Sequence, residues 1–156
     1  MQSTHNIEIE RKFLVNKKLL SLPESGKKLI QAYLWSDSEK SLRIRIVENS
    51  AFLTVKAGND VLKRLEFEYE IPIADANELL ALCDSKIEKT RYLIPHQKHT
   101  WEVDVFHGDN IGLIIAEIEL ASIQETISLP EWIDREVSND TRYLNVSLIK
   151  NPFTKW

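Results

Sequence analysis

Residues 7 to 15 read Ile7-Glu8-Ile9-Glu10-Arg11-Lys12-Phe13-Leu14-Val15. A period of two runs through this stretch and predicts a β-strand, with Glu8, Glu10 and Lys12 on one face and Ile7, Ile9 and Phe13 on the other. Same-face neighbours on a strand lie about 7 Å apart. Two carboxylates and an amine therefore address the same space, which is enough to hold a divalent cation beside an anion.

The same alternation recurs along the chain. Residues 28–35 read as a second strand, and 42–46 set Arg43 and Arg45 against three aliphatic side chains. The Asn49-Ser50 turn leads into 52–56, and Gly58-Asn59-Asp60 makes the next turn. Over 62–73, Arg64, Glu66, Glu68 and Glu70 share a face opposite Leu65, Phe67, Tyr69 and Ile71. Residues 87–94 carry Lys89 and Arg91 on a face shared with Ile87 and Leu93. Glu102 and Asp104 mark a strand over 100–106, and Glu117 and Glu119 one over 113–120. Asp75 and Glu78 have capping-box spacing ahead of an apolar run and predict a helix of about ten residues. A helical turn is expected at 16–22, a short helix at 122–127, a short extended piece at 135–138, and a terminal helix over 139–150 that stops near Pro152. Roughly eight strands with short turns predict a mainly β chain whose antiparallel sheet curls or closes into a barrel, flanked by a few helices.

With 156 residues, the chain is expected to form one domain over 1–156. Its net charge of -4 argues against a nucleic-acid partner, because binding to phosphate backbones needs a basic excess. Met1 to Asn6 are polar, and no apolar run has the length of a signal peptide or membrane span, so no membrane partner is expected. The single Cys83 lies in an apolar run and reads as a buried thiol in a reducing cytoplasm.

Alternation alone leaves two orientations open for the charged faces. They either look outward from a half-buried sheet or inward to a cavity. Three features favour the cavity. The faces carry little Ser or Thr. They sort by sign, with Arg43, Arg45, Lys56, Lys89 and Arg91 against the acids of the other strands, and opposite charges would offset one another in an enclosed space. The apolar faces would then lie outside, where the two amphipathic helices could cover them.

Ordered blocks over nearly the whole chain carry a family resemblance. They are Glu8-x-Glu10-x-Lys12, Gln31-Ala32-Tyr33-Leu34, Leu42-Arg43-Ile44-Arg45, Leu53-Thr54-Val55-Lys56, Arg64-Leu65-Glu66-Phe67-Glu68 and the segments 88–92, 101–106, 116–120, 130–133, 136–137 and 142–145. This set resembles the CYTH family, also called triphosphate tunnel metalloenzymes. Ala32 and Asp134 stand where members often carry glycine, and every motif position expected to be charged is charged. The resemblance implies an eight-stranded antiparallel barrel, open as a tunnel, with the ionic faces turned inward around a triphosphate and divalent metal.

A linear triphosphate carries about four negative charges, and phosphoryl transfer needs them neutralised. Lys12, Arg43, Arg45, Lys56, Lys89 and Arg91 are the expected phosphate-gripping groups, joined by Arg64. By resemblance Glu8, Glu10, Glu117 and Glu119 are the principal ligands of Mg²⁺ or Mn²⁺. Glu66, Glu68, Glu102 and Asp104 are further acids that ligate metal or orient the basic groups. Glu8, Glu10, Lys12 and Lys56 are the expected catalytic set. The expected reaction splits inorganic tripolyphosphate into pyrophosphate and orthophosphate, so the partner is a small-molecule triphosphate. A class IV adenylate cyclase, a thiamine triphosphatase, a nucleoside triphosphatase, a non-catalytic polyphosphate-binding module and a protein-contact sandwich are the alternatives. A homodimer is left open. His96 and His99 have metal-like spacing but no partner ligands, and Tyr143 and Asn145 are expected at a tunnel mouth.

Overall fold

A computed structural model describes residues 6–156; the expectation made for the N-terminal residues lies, for 1–5, outside the described part. Nine strands form one antiparallel sheet: β1 Ile7–Val15, β2 Lys27–Ser36, β3 Lys40–Val47, β4 Ser50–Ala57, β5 Lys63–Ile71, β6 Ile87–His96, β7 His99–Phe106, β8 Ile114–Glu119 and β9 Ile133–Glu136. Their order is β5-β4-β3-β2-β6-β7-β8-β1-β9, and β1 also pairs with β5. That last pairing closes eight strands into a barrel and leaves β9 as an addition.

β1 is the closing strand, and it shares its length among three partners. Glu10 to Leu14 pair with β8, Ile7 to Ile9 with β5, and Phe13 and Val15 with β9. The register sets Glu8 opposite Arg64, Glu10 opposite Glu119 and Lys12 opposite Glu117. With a side-chain period of two, this register turns all the even-numbered β1 residues to the bore.

The apolar faces lie outside and are covered in sections. Phe13, Trp101, Val103, Ala116 and Ile118 form one cluster under Trp132 of the segment that follows β8. Phe13, Trp101 and Trp132 meet edge to face, with centroids 5.4 and 5.7 Å apart. A second cluster joins Ile44, Ile46 and Ala51 to Ala76 of helix α1, Ile73–Ala81. A third gathers Ile87, Phe106, Leu113 and Ile115 against Tyr143 and Leu148, the latter in the terminal helix α2, Asn145–Lys150. Ile87, Phe106 and Ile115 share parity with Lys89, Asp104 and Glu117, so this cluster fills part of one end of the bore.

The strand expectations agree with the structure to within a few residues, and three helix expectations need correction. α1 starts two residues before Asp75, at a Pro72 N-cap with no side-chain bond. Proline's fixed φ ends β5 and opens the helix, so Asp75 sits in the first turn, where its charge suits the helix dipole. Residues 122–127 are a turn followed by irregular chain. There Glu125 accepts from the Ala121 amide at 2.6 Å and pairs with His99 at 2.7 Å. The terminal segment is broken: a 3₁₀ turn at Thr141–Tyr143, capped by Asp140, precedes α2, and Leu144 between them has extended ψ. This break lets Tyr143 and Leu148 reach the same cluster. Cys83 is half-buried at the end of α1, with its Sγ 3.5 Å from the Leu79 carbonyl. It is therefore less enclosed than its apolar run predicts.

Candidate active site

The inward faces of β1, β2, β3, β4, β5, β6, β7 and β8 surround a chamber of about 60 Å³ lined by Glu8, Glu10, Lys12, Gln31, Arg43, Arg45, Lys56, Glu66, Lys89, Arg91, Glu102, Glu117 and Glu119. On one side it widens to a mouth of about 350 Å³, which shares Glu8, Glu10, Lys12, Arg43, Lys56 and Asn145 with it and adds Arg64, Tyr33 and Lys40. On the other side Arg45, Arg91 and Glu102 also line an outer pocket with Lys27, Val47 and Phe52. The charged side chains are thus inward, as the family resemblance implies.

The small chamber is filled by its own ion pairs. Lys12 Nζ lies 2.8 Å from Glu10 and 2.5 Å from Glu117. Lys56 Nζ bridges Glu8 at 2.5 Å and Glu66 at 3.0 Å. Arg91 holds Asp104 through two bonds of 2.7 and 2.8 Å, reaches Glu117 at 3.1 Å and also pairs with Glu102. Lys89 pairs with the same Asp104, which is completely buried. Arg45 meets Glu68 at 2.8 Å, and the Thr54 hydroxyl donates to Glu68 at 2.9 Å. Glu68 and Asp104 therefore stand behind the cations rather than on the chamber wall.

Charge follows from this crowding. Burial, and then the neighbouring Glu10, push the Glu8 carboxyl up to about 7 although Lys56 opposes them. Burial also raises Glu10 and Glu117, but the cations beside them more than reverse it, Lys12 for Glu10 and Lys12, Lys89 and Arg91 for Glu117, so both are held below the usual carboxylate range. Burial works against the Lys12 ammonium, which Glu10 and Glu117 nonetheless hold above its ordinary value. Lys89 is lowered, because burial and then Arg91 outweigh Asp104. Glu102 is raised by burial.

The two walls differ. Gln31 Nε2 and the Nε atoms of Arg43, Arg45 and Arg64 are buried and have no hydrogen-bond partner among the described residues. Arg43 comes no closer than 3.7 Å to the carboxylate of Glu68. These unspent donors sit on β2, β3 and β5. The strand order places β8 and β1, with their four glutamates, across the bore from β3 and β2. The β2 and β3 wall thus offers unpaired N–H groups towards the carboxylates of β1 and β8, while Arg64 of β5 stands beside β1, opposite Glu8 in register.

Gln31 and Thr54 stand within the resemblance blocks but carry no expected role at the site. Neither is charged, and the inward face of β2 (Leu29, Gln31, Tyr33) carries no ionic signal; only parity with its neighbours could have marked it. Of the other residues singled out, Asn145 lines the chamber and its mouth, whereas Tyr143 packs in the apolar cluster. His96 bonds Ser128 and His99 bonds Glu125 on the outside of the barrel.

The CYTH domain model matches residues 6–151. The chain belongs to the CYTH domain family. It is 46% identical to an inorganic triphosphatase of Acetivibrio thermocellus over 148 residues, which cover 94% of this chain and 95% of that one. The crystal structure of the inorganic triphosphatase NE1496 superposes with a TM-score of 0.65 at 32% identity, covering 91% of this chain and 93% of that one. A putative adenylate cyclase from Bacillus halodurans shares the fold, with a TM-score of 0.59 at 20% identity over 75% of this chain and 83% of that one.

Metal fit in this CYTH barrel rests on the acid wall. Among the described residues no three His, Cys, Asp or Glu side chains stand together as a ready cage. The donors nonetheless suit a hard divalent ion. Glu8 and Glu10 share a face, Glu119 lies opposite Glu10, and all offer oxygen. Burial first, and then the nearby Glu10, disfavour the Glu8 carboxylate, and a bound cation would favour it.

Proposed function

We infer that this protein is a metal-dependent triphosphatase that hydrolyses inorganic tripolyphosphate to pyrophosphate and orthophosphate inside its barrel. The observation that carries the reading is the lumen in which unpaired N–H donors of β2 and β3 face the glutamates of β1 and β8. Such an arrangement is complementary to a polyanion and a cation together. The similarity to an inorganic triphosphatase over almost the full chain supports the choice of substrate.

Arg43, Arg45 and Arg91 grip phosphate oxygens in bidentate fashion, Lys89 and Arg64 add charge at either side, and Lys12 and Lys56 hold the terminal phosphoryl group. Glu8, Glu10, Glu117 and Glu119, with Glu66 beside them, would hold the divalent ion, Mg²⁺ or Mn²⁺, which when bound would neutralise charge at the phosphate oxygens. Glu68 and Asp104 fix the directions of Arg45, Arg91 and Lys89. As the oxygen of the attacking water bonds to the terminal phosphorus, the P–O anhydride bond breaks, pyrophosphate leaves with the bonding electrons, and the proton the water gives up passes to solvent through the mouth. Residues 1–156 act as one CYTH domain, in the cytoplasm, where the lone Cys83 stays reduced.

The purified protein, given tripolyphosphate, ATP and thiamine triphosphate in turn with Mg²⁺ or Mn²⁺, should release orthophosphate fastest from tripolyphosphate. Cyclic AMP as the main product from ATP would overturn the reading in favour of a cyclase. Glu10→Ala should lose turnover while still binding the anion; a polyphosphate sensor has no turnover to lose.

A further inference from the structure

Gln31 is almost wholly buried, at 1% exposure, and it lies on the chamber wall. It pairs in register with Arg45 on β3 and with Ile87 on β6, so Arg43 and Lys89 stand one pleat away on either side. Its Nε2 has no partner among the described residues. Buried amides are nearly always hydrogen-bonded, and an orphan among cations calls for a physical reason. The side chains beside it in register cannot supply one, because Arg43, Arg45 and Lys89 only donate and Ile87 has no polar side-chain atom, and no lumen glutamate bonds it. The missing partner is an acceptor, and the space beside it is the one a phosphate chain would occupy.

Resting on the triphosphatase reading, we propose that Gln31 is a substrate-binding residue that donates from its amide nitrogen to a phosphate oxygen of the chain held by Arg43 and Arg45. An uncharged donor has a distinct use here. It satisfies a phosphate oxygen without adding another cation for the lumen acids to capture, so it stays free when the arginines and lysines are paired. A glutamate would pair with Arg45 and repel the anion. A methionine would fill the space and offer no donor.

Gln31→Met separates this role from a structural one. Removing an orphaned donor leaves the thermal midpoint of the ligand-free variant unchanged or higher, whereas a structural amide would lower it. The KM for tripolyphosphate should rise about tenfold, with a much smaller change in kcat, the pattern of lost ground-state binding; tenfold corresponds to ~1.4 kcal/mol. Gln31→Glu should raise KM further. Tripolyphosphate added in excess chelator reads binding without turnover, and its thermal shift should shrink in both variants. An unchanged KM and thermal shift, or a lowered ligand-free midpoint in Gln31→Met, overturns the assignment. If the unaltered protein binds tripolyphosphate but does not cleave it, the triphosphatase reading falls, and the thermal shifts still decide for or against Gln31.

Discussion

The folded state disfavours the charge on Glu8. Its carboxyl rises from 4.5 to about 7, through burial and then the nearness of Glu10. A raised acid pKa means that, between those two values, the folded chain holds a proton that the unfolded chain has released. The stability tied to this group is therefore full below about pH 4.5 and is lost as pH climbs through 7. Glu8→Gln removes the charge and keeps the shape, so the advantage of the variant over the parent, without ligand, should grow by about 2 to 3 kcal/mol between pH 5 and pH 8. Urea denaturation at the two pH values, with chelator present, measures this; an equal difference at both would sink it. Glu8, Lys12, Arg43 and Lys89 were legible in the sequence because a charged residue at period two announces its face. Gln31 and Thr54 were not, because a neutral polar residue in a strand looks the same whether it faces solvent or a ligand.

α2 shows what periodicity can and cannot supply. A helical pattern over 139–150 was visible, but the Asp140 cap and the extended Leu144 divide it. The reason lies in the third apolar cluster, which Tyr143 and Leu148 must enter from different directions. Leu148 is fully buried there against Ile87, Phe106, Leu113 and Ile115. Leu148→Ala should destabilise the protein by about 2 to 5 kcal/mol, through lost burial and the cavity left behind. Chemical denaturation tests it, and a loss well under 1 kcal/mol would mean that α2 does not pack as described. The strands were easier to read because each needs only local alternation. The division of β1 among β5, β8 and β9 was not, since pairing partners lie as far as Phe13 and Glu136 from one another in the chain.

In the closed barrel the ligand-free lumen spends its cations on its own acids, Lys12 on Glu10 and Glu117, Lys56 on Glu8 and Glu66. An anion that takes over Lys12 and Lys56 frees those carboxylates for a divalent ion, and the ion in turn frees the lysines. By linkage each ligand must tighten the other by the same factor. Titration calorimetry on the unaltered protein should thus give at least about tenfold tighter binding of a non-hydrolysable imidotriphosphate with Mg²⁺ than without, after correction for Mg²⁺ bound to the free anion, a coupling of ~1.4 kcal/mol. No coupling would contradict the arrangement. The order of charged and apolar residues by itself determined the mainly β class, most strand positions, and which side chains share a face, because backbone geometry turns spacing into direction. It could not say whether those faces met water or one another. Only the β1–β5 pairing decided that, since closing the sheet puts one face inside and makes neighbours of charges far apart in the chain.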